Sequence, residues 1–457
     1  MKPLIEERIE TPVIGDFDVC VIGGSATGVF AAVRAAQAGA RVALVEANGF
    51  FGGVATAGLV NIWHSLYDTE GKKQIISGLT EEIIERLKKR NAVSIKNPDN
   101  PHVYAIFNAA ELTIELDELV CEQKSIRPFL HTRFVRPILD GEGHVSHAVI
   151  EDKSGRRAIK ASFFVDASGD GDLIHRAGLP TRKNATPQPP TTGAGICGIE
   201  EVAKLNPGFR IEDVLNPKKF NAGFKHSFMW SSEFIGVPGM HFVAASRMNG
   251  TDSSDADSLT AAEIEGRRQI RKICDIVREN FKTNGKFGLG VLPASTGIRE
   301  SRHCDCLHKL SELEVLEGNS FDDSIANGSY VVDIHHGGGI TFKRQDGRMS
   351  EMLVSPGEEP RWVEGRWREE RELNPTFYQI PYRCLVPKGS ENVLCAGRLI
   401  DCDPGAYGAI RVMVNCNQTG EAAGLAATLA LSGKSNISKV DPKALRKSLS
   451  KAGCIII

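Results

Sequence analysis

No stretch of this 457-residue chain approaches the roughly 18 to 20 consecutive apolar residues that a membrane-spanning helix requires, so no membrane span is expected. A dominant charge is missing as well. The 55 Lys and Arg against 57 Asp and Glu leave a formal net charge of -2, neither a basic excess for nucleic acid nor the acidic excess of a disordered chain. Repeats and low-complexity tracts are absent. The chain also lacks closely spaced cysteine runs: its 11 cysteines are odd in number and scattered, many within apolar segments, with only Cys304-x-Cys306 close together. That excludes a disulfide framework and reads as buried thiols in a reducing compartment. Acidic residues stand where a secretory signal would be basic, in MKPLIEERIE, so a cytoplasmic protein is expected.

What is plentiful is glycine, 46 residues against an average usage of roughly 7%, clustered as in turns where phosphate approaches backbone. Asp18 to Gly23 is a nearly continuous apolar run, the pattern of a parallel strand covered on both faces. The turn Gly23-Gly24-Ser25-Ala26-Thr27-Gly28 follows, then an alanine-rich helix to Ala38 and a second strand from Arg41 to Glu46. This βαβ unit presents a helix N-terminus to a pyrophosphate, and a carboxylate about 20 residues on can accept the ribose hydroxyls. Ser25 stands where the second glycine of G-x-G-x-x-G is expected. A carboxylate at Glu46 argues against a 2′-phosphate, and hence against NADPH in this site. The second apparent match, Gly193 to Gly198, has better spacing but follows a Pro-rich segment, so it reads as a strand or loop of an inserted region.

Further along, Thr80 to Arg90 reads as an amphipathic helix capped by Thr80, Ala109 to Gln123 as another, and Phe129 to Arg157 as antiparallel strands around the turn Asp140 to Gly143. Ile159 to Asp166 is again an apolar strand. After Thr181 the character changes to short strands, glycine loops and one long charged helix from Thr260 to Lys282. Near Gln379 the chain returns to a buried strand, Asn392 to Gly397, and a small-residue helix, Asn415 to Ser432.

These motifs support a family resemblance. Gly23 to Gly28, Glu46, and Gly52-Gly53 with Thr56 resemble the opening of FAD-dependent oxidoreductases with a glutathione-reductase-like fold, and Val165 to Asp172 resembles their internal glycine turn. The segments Gly297 to Arg302, Asp333-Ile334-His335, Ile380 to Arg383, Ala396-Gly397-Arg398 and Gly408 to Met413 are similar to a bacterial family of FAD-dependent oxidoreductases grouped by name with the flavoproteins of heterodisulfide reductase. The resemblance spans nearly the whole chain. It implies an α/β fold: a Rossmann-like, three-layer FAD-binding domain with a parallel central sheet, in two parts (1–180 and 379–457), with an inserted α+β substrate domain (181–378). It implies FAD as cofactor, held by Gly23, Ser25, Ala26, Thr27, Gly28, Glu46, Gly52, Gly53, Thr56, Ala167, Gly169, Gly397, Arg398, Gly408 and Arg411. For Arg398 and Arg411 the competing reading is structural pairing with Asp401, Asp403 or Glu421. Two departures stand out: Ser25, and Pro404 where a histidine is expected. The cysteine spacing supports no iron–sulfur cluster.

For chemistry, Arg299, Arg302, His335, His336 and Arg383 stand near glycine-rich or Pro-flanked turns. Guanidinium groups converging on a cavity favour an anionic substrate, and a histidine near neutrality suits acid–base work. The set His303, Cys304, Cys306 and His308 lies on alternating faces if extended, so no metal is expected. The reading is a FAD-dependent oxidoreductase that transfers a hydride between flavin N5 and a small organic substrate, anionic if the arginines converge. The alternative is a flavin-binding subunit that passes electrons to a redox protein partner.

Overall fold

The computed structural model describes residues 4, 9–95, 105–220, 223–224, 228–354 and 358–457. Most of the N-terminal stretch read for a targeting signal lies outside them.

Strand β1 (Val13–Ile22) runs through the turn into α1 (Ala26–Gln37) and back into β2 (Val42–Val45). The apolar half of β1 is buried on both faces, which is why its sequence does not alternate. Helix α2 (Leu79–Lys89) begins at Gly78, whose φ of 71° stops the chain from being helical earlier. Thr80 is therefore inside the helix and buried, not its cap. Helix α3 (Ala109–Cys121) is capped by Asn108, whose side chain accepts from the amides of Ala110 and Glu111. Next come β3 (Ile126–Phe129), β4 (Arg133–Leu139), β5 (Val145–Asp152) and the long β6 (Gly155–Asp166).

The main sheet has the order β3-β2-β1-β6-β5-β4. Its β3-β2-β1-β6 portion is parallel, and β4-β5-β6 is an antiparallel meander. Strand β6 serves both: its first half pairs with β5, and its end pairs in parallel with a strand from far down the chain, Val393–Cys395.

Residues beyond Thr181 build smaller sheets. Strands β7 (Gly193–Cys197), β8 (Trp230–Glu233), β9 (Met240–Ala244) and β10 (Gly288–Val291) form an antiparallel sheet in the order β8-β9-β7-β10. The second glycine motif is thus an antiparallel strand, β7. Helix α4 (Ala256–Asn280) covers this sheet, and their shared apolar core runs from Ala194 to Phe287. Strands β11 (Val332–His336), β12 (Gly339–Lys343), β13 (Arg348–Leu353) and β14 (Arg361–Arg366) form a second antiparallel sheet in chain order.

The chain then rejoins the main sheet as β15 (Val393–Cys395) and continues into α5 (Pro404–Ile410) and α6 (Met413–Gly433). Pro404, the unexpected proline, is the first residue of α5, where a missing N–H costs nothing, and Asp403 caps the helix by accepting from the amide of Ala406. Helix α6 is buried on nearly all sides, so its sequence shows no polar face. It packs directly on α1: a Cβ at Gly420 would overlap the Thr27 carbonyl, and one at Gly424 the Ala31 carbonyl. Beside this crossing the buried Glu421 pairs with Arg34, whose Nε donates to it at 2.8 Å, so the ion pair ties α6 to α1.

Candidate functional site

A cavity of about 900 Å³ opens at the carboxyl ends of the parallel strands, where Ile22, Val45, Ala167 and Ala396 line it. This is where open α/β sheets place their ligands. The volume lies near the top of the roughly 300–1,000 Å³ range of small-molecule sites.

At one end lies the first turn. Gly23 has φ +101°, and a Cβ there would crowd the Ala167–Ser168 peptide, so only glycine suits the position. Ser25 has φ −60° and ψ 170°, a backbone any residue adopts, so the motif's second glycine is not needed for conformation. Ser25 caps α1 without a side-chain hydrogen bond, and the first turn carries no acidic residue. The leading amides of α1, which have no intrahelical acceptor, are left for an external one. The buried Glu46 accepts from the amide of Gly24 at 2.7 Å and from that of Asn48 at 2.7 Å. Burial pushes its carboxyl up from the ordinary value, while these amides pull it back.

Asp166, just behind the internal glycine turn, is fully buried and accepts from Ser168 and from the amides of Leu173 and Ile174. Burial pushes it up to about 6 despite those bonds. This cap aims Ala167 and Gly169 at the cavity. Gly397 and Arg398 line the same wall, and Arg398 donates to Asp170 at 2.6 Å and to Ser301 at 2.8 Å. At the next corner α6 begins with Val412 as its cap, without a side-chain bond, and Val412, Met413, Cys416 and Asn417 line the cavity. Two bare helix N-termini, those of α1 and α6, therefore border one space. A pyrophosphate and the electron-rich edge of a flavin are the acceptors such termini suit, so these residues fit FAD.

Of the residues singled out from sequence, Gly23, Ser25, Ala26, Thr27, Glu46, Gly52, Gly53, Ala167, Gly169, Gly397, Arg398 and Arg411 line the cavity. Gly28, Thr56 and Gly408 lie behind it. A Cβ at Gly28 would overlap the Gly23 carbonyl, Thr56 donates to the Phe51 carbonyl at 2.7 Å, and Gly408 lets the Asp333 backbone approach α5. The arginines at 398 and 411 do form ion pairs, with Asp170 and Asp333 rather than with Asp401, Asp403 or Glu421.

Among the chemistry candidates, Arg299 and His335 reach the cavity. Arg302, His336 and Arg383 do not. Arg302 donates to the carbonyls of Asp170 and Ser254, and Arg383 grips Asp323 through Nε at 2.9 Å and Nη2 at 3.2 Å. His336 is sent to the opposite face of β11 by strand alternation, where its Nε2 lies 3.2 Å from Thr341. His303 contacts Glu300 at 3.0 Å, Cys306 Sγ lies 3.6 Å from Cys395 Sγ, and His308 lies 3.1 Å from Glu314. Among the described residues no group of three or more His, Cys, Asp or Glu is arranged to hold a metal.

The structure adds residues that sequence reasoning did not select: His64, Arg247, Tyr330 and Asp333. Asp333 is their centre. It lies 3.0 Å from Arg411, 3.1 Å from the Tyr330 hydroxyl and 3.2 Å from His335 Nε2. Burial alone would raise its pKa; His335 and Arg411 reverse that and hold the carboxylate well below the usual range. Its presence beside His335 was readable from the i, i+2 spacing on a strand, which puts both on one face.

His64 and His335 are pushed down to about 4 and about 3, by burial first and by nearby guanidiniums as well, against the pull of Asp333. Both are neutral when folded at pH 7. As pH falls through about 6.5 the unfolded chain gains protons at these positions that the folded one refuses, so stability drops toward pH 4. Each histidine should contribute up to about 1.4 kcal/mol per pH unit in that window. In urea unfolding of the flavin-free protein at pH 7, 6 and 5, His64→Gln and His335→Gln should each flatten the decline; slopes parallel to wild type would refute it.

Fold and cavity together define a flavin-dependent oxidoreductase built on a dinucleotide-binding sheet. Residues 18–449 match the FAD dependent oxidoreductase family, and the chain belongs to it. It is 29% identical over 151 residues to the mitochondrial dihydrolipoyl dehydrogenase of Schizosaccharomyces pombe, a match that covers 25% of this chain and 30% of that one. Among solved structures, it is similar to a geranylgeranyl bacteriochlorophyll reductase-like protein from Thermoplasma acidophilum, with TM-score 0.47, 12% identity, and 96% and 84% of the two chains covered. A p-nitrophenol 4-monooxygenase from Pseudomonas putida aligns with TM-score 0.43 and 10% identity over 96% and 84%. No helix among the described residues is long and apolar enough to cross a membrane.

Proposed function

We propose that the protein exchanges a hydride between N5 of bound FAD and a small organic substrate, admitted between the parallel sheet and the two antiparallel sheets. The isoalloxazine supplies the redox chemistry; the chain supplies binding, orientation and exclusion of water. The amides at Ser25 to Thr27 would hold the pyrophosphate, Glu46 the adenosine ribose, and Gly397 and Arg398 the middle of the cofactor. Arg411 and the leading end of α6 would face the flavin. Phe228, Trp230, Phe242 and Phe342 line the cavity and would present apolar rings to the substrate. His335, neutral and backed by Asp333, would handle the proton that accompanies hydride exchange.

The observation that carries this reading is continuity: one cavity runs from Gly23 and Glu46 to Trp230 and His335. Anaerobic screening of the purified yellow protein against carboxylates, sugars and amines tests it. Bleaching of the visible flavin band by a metabolite alone is the expected result. Bleaching only by a reduced redox protein would replace this reading with that of an electron-transfer component.

A further inference from the structure

Three guanidiniums meet at the substrate end of the cavity, Arg247, Arg299 and Arg411, and one carboxylate, Asp333, stands among them. Asp333 is taken by Arg411. Arg247 and Arg299 have no carboxylate within ion-pair distance among the described residues. They are instead bound to each other through one hydroxyl. Thr191 Oγ1 donates to the Ser246 carbonyl at 3.0 Å, and its lone pairs accept from Nη1 of Arg247 at 2.8 Å and from Nη1 of Arg299. The other Nη1 bonds go to the Ser246 and Pro189 carbonyls at 2.7 Å each. Nε and Nη2 of both arginines donate to nothing among the described residues, and both side chains line the cavity.

Two neighbouring buried cations with no carboxylate at ion-pair distance, and only the weaker attraction of Asp333 beyond it, are costly, and a fold keeps them where an anion arrives from outside. Burial first, and neighbouring guanidiniums after it, lower their proton affinity against the pull of Asp333: Arg411 helps push Arg247 down to about 10, and Arg247 and Arg411 help hold Arg299 well below its usual value. The unused N–H groups are the fork that carboxylates match in paired bonds. The nearby wall is aromatic and apolar, with Phe228 beneath Arg247 at 5.7 Å and Trp230 edge-on to Phe242.

We propose that Arg247 and Arg299, joined by Thr191, form a carboxylate subsite that anchors a substrate with a flat apolar body, such as an aromatic acid, against the flavin. The subsite rests on the functional reading above for its role, but its affinity for a carboxylate can be measured without flavin. It also links binding to chemistry, because the negative charge of a carboxylate here offsets part of the positive charge of Arg299 and Arg247 that, after burial, opposes protonation of His335, making His335 a better base once substrate is seated.

Benzoate, benzamide and inorganic phosphate are the probes. Binding is followed by Tm in the flavin-free protein and by the flavin absorbance change in the FAD-loaded protein. Benzoate should raise Tm and saturate; benzamide, of the same shape without charge, and phosphate, without the apolar body, should bind at least tenfold more weakly. Arg247→Met and Arg299→Met should each weaken benzoate at least tenfold without lowering Tm when no ligand is present, since each removes an unpaired buried charge. A merely structural role predicts the opposite, a lower Tm with benzoate binding intact, and that result overturns the proposal. So do equal affinities for benzoate and benzamide, or for benzoate and phosphate. Should the protein take up no FAD, the Tm arm still decides the subsite, while the oxidoreductase reading falls separately.

Discussion

Alanine at position 28 is expected to leave the purified protein colourless and destabilised by about 3 kcal/mol or more. A Cβ there would overlap the carbonyl oxygen of Gly23, a backbone atom that no rotamer change can move aside. Gly23 cannot retreat, because its own amide is held by the Val45 carbonyl at 2.8 Å and its Cα faces the Ala167–Ser168 peptide. The start of α1 would have to swing outward, and α1 cannot do so freely either: α6 lies against it at Gly420 and Gly424 with no room for a methyl group. The strain falls on the amides proposed to meet the pyrophosphate, so cofactor affinity should fall at least a hundredfold. Gly141→Ala is the control. Position 141 sits in the β4–β5 turn with a φ outside the left-handed region and nothing within 4 Å of an added Cβ, so that variant should keep both colour and stability. Flavin content after purification and urea midpoints decide it; a yellow, stable Gly28→Ala protein would mean that the turn does not carry the cofactor.

The same contrast explains what could be read from the chain. The first βαβ unit was legible because its signals are local: a continuous apolar strand, a glycine whose φ of +101° excludes other residues, and a carboxylate one strand further on. Even the departure at Ser25 is locally explained by its extended backbone. The substrate end was not legible in this way. Arg247, His64 and Asp333 come from three separate sheets or loops, and nothing beside Arg247 in the sequence distinguishes it from a surface arginine. Its value lies in what it lacks, a carboxylate neighbour, and only the tertiary arrangement shows that. Arg302 and Arg383 failed as cavity residues for the complementary reason: each found ordinary partners, which a motif cannot foretell. Strand periodicity, applied to β11, separates His335 from His336 and pairs it with Asp333.

That pairing sets the second large effect. Asp333→Asn is isosteric, yet it should lower stability by about 3–5 kcal/mol, because it leaves Arg411 buried without its counter-ion next to Arg299 and Arg247. Three cations would then share a space with no anion, and the strand β11 that carries position 333 is what holds α5 at Gly408. The sign with pH follows from the depressed carboxyl: its stabilisation is full above the ordinary carboxylate range and is lost as pH falls through the lower folded value, so wild type and variant should converge in acid. Removing the charge from both partners, in Asp333→Asn with Arg411→Met, should recover much of the loss, as matched removal of a buried pair does. Benzoate should also rescue the single variant more than it stabilises wild type, since an added carboxylate finds three unmatched guanidiniums instead of two. Urea unfolding at pH 7, with and without benzoate, and in steps below pH 4 for the convergence, measures these effects; an Asp333→Asn protein as stable as wild type at pH 7 would show that the cavity's cations are matched by something other than this one side chain.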